Sequence, residues 1–526
     1  MNCFDAIVVG SGPGAAFAAL GLRGKRVLIL DVGFDGAPAP HLNRNVYELR
    51  RESDDLFPDL IGDEFQSLHN LHRRPISLKL KAPHVSFIVR GWPELTPIVS
   101  NTFEGVISLS KGGLANAWGA GVFRFNDRDL RGFPISEQVL LPHYDEVTRE
   151  IGVCGVNGDD LASYLGYEAD LQPPLKLSVL FEDVYARYRH SREFFRSRGV
   201  FIGRPRLAVL TEPKNGRQPY ESNNLEFFSV RNPSIYTPSY TIDELRSSGA
   251  IRYLDRRLVL GYEEQTDCVR VRVRNLADGK IEIWSARKLC LGAGAINTAR
   301  IVLASEGDYE SRLPLLDNSM ACFPFFSLRR IGAPLPIDES SLCQLTLVAE
   351  DGENDETLQA SLYGATGPLR SDLLSSLPLS FRANLALLKY AAPAMGLLML
   401  FYPGIQNPSS YVRLRASGEL ELEFAAVPPN PIMEGRLLRS LRRLGCWTHS
   451  SLIQRPGMGQ GLHFAGTLPM RAKPARYETD SQGHLFGTRH VYIVDGACFP
   501  RLPAKNLTFT IMANALRIGR GLASRL

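Results

Sequence analysis

Ala6, Ile7, Val8 and Val9 form an unbroken apolar run, the pattern of a strand buried on both faces of a parallel sheet. The run ends in Gly10-Ser11-Gly12-Pro13-Gly14-Ala15, and an alanine-rich helix is expected from there to about Gly24. A second apolar strand over 26–30 closes on Asp31. Regularity then fades: 34–100 is rich in Pro, Arg, Asp and His and reads as an excursion from the sheet, with a helix expected over 46–57.

The stretch over 105–125, GVISLSKGGLANAWGAGVFRF, concentrates glycine and alanine, which suits backbone running against something flat and large. An amphipathic helix follows, with Leu140, Tyr144, Val147 and Ile151 on one face. A turn into another helix is expected over 236–245. Strands are expected over 251–254 and 258–262, a hairpin over 269–274 and 281–284, and a buried strand over 288–292. That last strand meets Gly294-Ala295 and a helix over 297–303, a second strand–glycine–helix junction suited to a nucleotide. Long β-type runs over 342–350, 396–401, 411–414 and 420–424 predict a second, mostly antiparallel sheet with a few covering helices. Leu437, Leu441 and Leu444 predict a helix whose arginines (Arg436, Arg439, Arg442, Arg443) form a solvated basic face. A strand over 491–494 meets Asp495-Gly496, and a long helix from about 508 closes the chain.

With 526 residues and 44% hydrophobic composition, the chain can bury a large core divided into two or more lobes. The net charge of +5 comes from scattered arginines, which argues against nucleic acid or an acidic membrane as partner. The stretch over 391–402 is too short to span a membrane and contains Pro393. Eight dispersed cysteines without a CxxC or metal spacing predict free thiols in a reducing cytoplasm and no c-type haem. His69 and His72 read as surface residues, and no signal peptide is expected before the first strand.

The N-terminal unit has a chemical reading. Gly10 allows the tight turn, Gly12 the approach of a pyrophosphate, and Ala15 close helix–strand packing. The helix N-terminus offers N–H groups and a positive dipole end to phosphates. Asp31 stands where an acid holds ribose hydroxyls. Together they predict a dinucleotide site.

Four blocks resemble the glucose–methanol–choline (GMC) oxidoreductases, FAD flavoproteins that oxidise alcohols: the N-terminal GSGPGA; Gly112-Gly113 with 114–119; LGAGAINTAR over 291–300; and the C-terminal HFAGT, YIVDGACFP and NLTFTIMANALRI. The resemblance covers the nucleotide-binding half. It implies an α/β (α+β overall) fold, with a Rossmann-like FAD-binding domain over 1–38, 101–155, 250–318 and 456–526. The substrate-binding domain and cap, on a mostly antiparallel sheet, would take 39–100, 156–249 and 319–455. The implied FAD contacts are Gly10, Gly12, Pro13, Gly14, Ala15, Asp31, Gly112, Gly113, Asn116, Ala117, Leu258, Val259, Gly292, Ala293, Asp495, Gly496, Asn506 and Thr508.

In that family a histidine in an H-x-x-G/C-T setting and a His or Asn opening the last helix face the flavin's reactive edge. Here these are His463 and Asn506. The resemblance implies that His463 takes the hydroxyl proton as hydride leaves, while Asn506 holds the donor oxygen. The structural alternative is a satisfied core histidine and an Asn506 that caps the last helix, a role that can coexist with the first. Ala117 occupies the position of the histidine that tethers FAD in some members, so FAD is expected to be non-covalent. GGLANAWG with Phe133-Pro134-Ile135-Ser136 is similar to the branch that oxidises sugars and polyols. The expected partners are therefore a small-molecule alcohol, sugar-like or polyol-like, and oxygen, a quinone or a redox partner as electron acceptor. Arg382, Gln359, Tyr363 and Tyr402 are candidates for the substrate wall. A non-oxidative lyase on the same scaffold and a redox-inactive flavin-fold interaction protein are the alternatives.

Overall fold

The apolar N-terminal run has parallel neighbours on both sides, which is why it does not alternate. In the computed structural model, Phe4–Val9 pairs with Val27–Leu30 on one edge and with Ile281–Leu291 on the other, both parallel. Ile251–Leu254 extends the sheet beyond Val27–Leu30, and Val491–Ile493 pairs parallel with the end of Ile281–Leu291. The structure describes residues 3–36, 51, 80, 83–221, 233–334, 339–352, 355–365 and 379–526. The helix expected over 46–57 (Arg51 apart) and His69 and His72 lie outside the described residues.

The runs over 281–284 and 288–292 are one strand, not two. The first half of Ile281–Leu291 pairs antiparallel with Val269–Asn275, which pairs in turn with Arg257–Glu264. Its second half joins the parallel sheet. Arg287 and Lys288 sit at the changeover, where the pattern passes from half-buried alternation to full burial, and their polarity masks the continuity.

The ends of the chain meet at this sheet. The first helix, Pro13–Gly21, lies against the last, Thr508–Ala523. A Cβ on Gly519 would fall 2.4 Å from Ala18 O, and one on Gly21 2.8 Å from Leu516 O, so the two backbones touch. Gly519→Ala should therefore lower the Tm through about 1–3 kcal/mol of overpacking. Gly521→Ala, whose nearest neighbours are side-chain tips at 3.4 and 3.8 Å, should leave it nearly unchanged. Thermal melts of the two variants check this, and equal Tm values would contradict it.

The helix Glu137–Ile151 buries Leu140, Tyr144, Val147 and Ile151, as its spacing predicts. Tyr144 stacks on Phe509 at 5.1 Å and shares a 2.8 Å hydroxyl contact with Thr510, fixing this helix to the last one.

A second, fully antiparallel sheet runs in the order Met320–Phe326, Met395–Phe401, Glu356–Gly364, Leu345–Asp351, Val200–Gly203. One face (Ala321, Phe323, Phe325, Leu398, Leu400) packs with Phe181 and Val184 of Val179–His190 and with Leu437 and Leu441 of Pro431–Arg443. Arg439, Arg442 and Arg443 of that last helix are exposed. The expected strands over 411–414 and 420–424 exist but belong elsewhere. Tyr411–Leu414 and Leu420–Glu423 close a local hairpin and join Leu313–Pro314 and Ile98–Val99 in a small separate sheet. Apolar runs report burial, not the partner strand. Among the described residues no helix is long and apolar enough to cross a membrane, and no His/Cys/Asp/Glu group could hold a metal.

Candidate active site

The first glycine loop divides its work between packing and openness. A Cβ on Gly14 would lie 2.2 Å from Val494 O, so the helix start sits directly on the last strand. A Cβ on Gly12 would meet nothing within 4 Å, because Gly12 faces a cavity of about 600 Å³. No side chain caps this helix, so its N-terminal N–H groups and positive dipole end are available to an anion there. Gly10, Pro13 and Gly14 also line the cavity, whereas Ala15 packs behind it against Gly292.

Asp31 lines the same cavity and is buried. The Ser11 hydroxyl donates to its carboxylate, and Tyr253 Oη donates at 3.0 Å. Burial nevertheless raises its pKa to about 6, with the two hydrogen bonds opposing the rise. Ser11 Oγ also accepts from Gly112 N at 3.0 Å, tying the first glycine loop to the second. Neither Ser11 nor Tyr253 belongs to a motif that points to this role. A serine between two loop glycines was the available signal for one, while Tyr253 depends on sheet register.

In the second loop Gly112 and Gly113 have φ of +90° and +64°, and a Cβ on Gly112 would collide with Asn116 Oδ1 at 2.7 Å. Asn116 donates to Lys111 O at 2.8 Å and Ser110 Oγ at 3.1 Å, so it holds its own loop in shape. Gly113 and Ala117 reach the cavity, whereas Gly112 and Asn116 stand behind its wall. Leu258, Val259, Gly292 and Ala293 line it from the far strands. Asp495 accepts from Gly294 N (2.9 Å), Thr298 Oγ1 (2.6 Å) and Ala497 N (2.9 Å), joining the second glycine junction to the C-terminal block. Burial raises its pKa to about 6. Gly496 and Thr508 complete this side.

His463 and Asn506 line the same cavity. His463 Nδ1 lies 2.9 Å from Asn318 Oδ1. The Asn318 amide donates to Tyr402 O (2.7 Å) and Pro503 O (3.1 Å), which fixes its oxygen toward the ring. Nδ1 therefore carries the proton in the neutral imidazole, and Nε2 is the acceptor nitrogen. Phe401 stacks on the ring at 5.0 Å. Asp317 receives Gly459 N at 2.6 Å and His463 N at 3.3 Å, and burial pushes its pKa up to about 7.

Asn506 does not cap the last helix. The cap position is Leu507, with no side-chain bond, while Asn506 Oδ1 accepts from Gln359 Nε2 at 3.1 Å. The preceding Lys505 is buried and donates to the Asp129 carboxylate (2.5 Å), Tyr164 O (2.6 Å) and Arg124 O (3.2 Å), anchoring this turn. Of the four wall candidates, Tyr363 lines the cavity and Gln359 reaches it through Asn506. Tyr402 turns away to Glu434 at 2.8 Å, and Arg382 is exposed.

A parallel sheet with two glycine junctions, facing an antiparallel sheet across one cavity that holds a buried His and an Asn, defines a dinucleotide-binding α/β fold. Residues 448–515 match the family model described as GMC oxidoreductase, so the chain carries a GMC oxidoreductase C-terminal domain. The fold is shared with the solved structure of pyridoxine 4-oxidase from Mesorbium loti, at a TM-score of 0.62 and 14% identity over 99% of each chain. The chain is also 40% identical over 95 residues to 6'''-hydroxyparomomycin C oxidase of Streptomyces lividus, a match that spans 18% of this chain and 17% of that protein.

Proposed function

We propose that this protein is an FAD-dependent oxidoreductase that converts an alcohol to a carbonyl, with His463 as base and Asn506 holding the donor oxygen. The observation that carries the reading is the placement of both side chains in the cavity that the glycine loops line, with Asn318 leaving His463 Nε2 as the acceptor. FAD fits this cavity. The uncapped helix and the open face of Gly12 suit a pyrophosphate, and Asp31, at the end of the second strand, suits a ribose. Ala117, at the position where some members of the family tether FAD, has no atom that could form that bond, which supports a non-covalently held cofactor. When bound, FAD supplies the hydride acceptor.

The protein's own part is positional and electrostatic. His463 Nε2 takes the hydroxyl proton as the carbinol hydride departs. Asn506, its oxygen bonded to Gln359, keeps its Nδ2 hydrogens to orient the donor oxygen. On this reading 1–38, 101–155, 250–318 and 456–526 hold the cofactor, while 39–100, 156–249 and 319–455 form the substrate side. Electrons leave to oxygen, a quinone or a redox partner, and comparing turnover in air with turnover on an added quinone identifies which.

A sugar-like donor, implied by the resemblance to the polyol-oxidising branch, would need polar groups on the wall to pair its hydroxyls. The two strands beside His463 present Met320, Cys322, Pro324, Leu397, Met399 and Phe401, and polar atoms on that wall come from Tyr363, Gln454 and Gln460.

Asp31→Ala should yield protein that loses FAD on gel filtration yet regains most of its alcohol oxidation when FAD is added in excess. The FAD-to-protein absorbance ratio measures this. Retention equal to that of the parent would remove Asp31 from the cofactor site.

A further inference from the structure

We propose that the donor is an alcohol with an apolar body, seated along the Met320–Phe326 and Met395–Phe401 strands, and not a sugar or polyol. The proposal rests on the reading of His463 and Asn506 as the reacting pair.

Antiparallel register places Met320 opposite Phe401, Cys322 opposite Met399, and Pro324 opposite Leu397. Side chains opposite one another share a face, and all six line the cavity that holds His463. Phe401 lies on the imidazole itself. The intervening positions are buried in the core on the other face, so this pair of strands is apolar on both sides. A strand meeting a sugar would have to replace the water on each hydroxyl with a donor or acceptor, because a desolvated hydroxyl left unpaired weakens binding. Met320, Cys322 and Pro324 offer only a weak thiol donor and a weak thioether acceptor, and the thioethers of Met320 and Met399 adapt to varied apolar shapes.

Polarity enters from the third strand and from Ser341, Gln454 and Gln460, which also line the cavity. Gln359 and Tyr363 stand opposite Phe401 and Leu397 on the same face, and Gln359 is bonded to Asn506. With Ser361 opposite Met399 between them, the third strand is polar along this face, while the two strands beside it are apolar. A donor with one hydroxyl at the reacting pair and hydrocarbon behind it matches that division. Among the described residues, the charged side chains on the cavity wall are Asp31, Arg257, Arg300 and Asp495, and none comes from the antiparallel sheet.

The test uses the anaerobic FAD-loaded full chain and n-alkanamides, which have no carbinol carbon to oxidise, with the flavin band followed throughout so that any reduction by the polyol ligand is seen. Calorimetric titrations with n-alkanamides from butanamide to octanamide are compared with gluconamide, their polyol counterpart. The expected dissociation constants fall about fourfold per added methylene until the cavity is filled, with gluconamide weaker than butanamide. Met399→Gln should weaken octanamide about tenfold without changing flavin content. Gluconamide binding more tightly than octanamide, or affinity flat with chain length, would overturn the proposal. If the alkanamides bind as expected while no alcohol is oxidised, the apolar seat stands and the assignment of alcohol oxidation to His463 fails.

Discussion

His463→Ala protein should be yellow and well folded, yet its flavin should be reduced by alcohol about 10²–10⁴-fold more slowly than in the parent. The size follows from the chemistry. An alcohol proton is far too weakly acidic to leave unaided near neutral pH, and hydride departure becomes favourable only as a base removes it. His463 faces the cavity, stacked on Phe401 and held through Nδ1 by Asn318, so truncation removes the base without touching the glycine loops. Anaerobic stopped-flow absorbance separates the two effects, because flavin content and reduction rate are read from the same trace. Equal reduction rates would take His463 out of the mechanism.

The second large effect is at Asn318, a positioning residue that acts through His463. Asn318→Leu leaves Nδ1, Tyr402 O and Pro503 O without their partner and frees the ring to adopt the other tautomer, so reduction should slow by about 10–100-fold. Asn318→Asp discriminates between orientation and mere packing. The carboxylate still accepts from Nδ1, but its negative charge favours the protonated imidazolium. The base is then unprotonated only at higher pH, and the acidic limb of the kcat profile should move upward relative to the parent. A purely structural role predicts a lower Tm for both variants and an unmoved pH profile.

The sequence made legible what is local. The first strand, loop, helix and strand occupy one short stretch, and their glycines declare the close approaches later found at Gly14 and the open face at Gly12. The helix Glu137–Ile151 follows its apolar spacing. What stayed hidden is held by tertiary register. Ser11 and Tyr253 converge on Asp31 from elements far apart in the chain. Asn318 meets His463 across 145 positions, and Lys505 meets Asp129 across 376. The strand Glu356–Gly364 carries no continuous apolar run because Gln359 and Ser361 interrupt it, and the polar interruption at Gln359 is what brings a hydrogen-bond donor to Asn506. Propensity also suggested a cap at Asn506, where the tertiary contact with Gln359 prevailed. The sugar-like expectation rests on the glycine-rich cofactor loop, whereas the donor's surroundings are written in the alternate positions of two distant strands.

The most direct test of the account is anaerobic mixing of the FAD-loaded protein with an apolar primary alcohol and with the same alcohol deuterated at the carbinol carbon. The account predicts bleaching of the flavin band by both, slower with deuterium, since the carbinol C–H bond breaks as His463 takes the hydroxyl proton. Colourless protein, a flavin band that no alcohol bleaches, or equal rates for the two isotopologues with reduction limiting would contradict it.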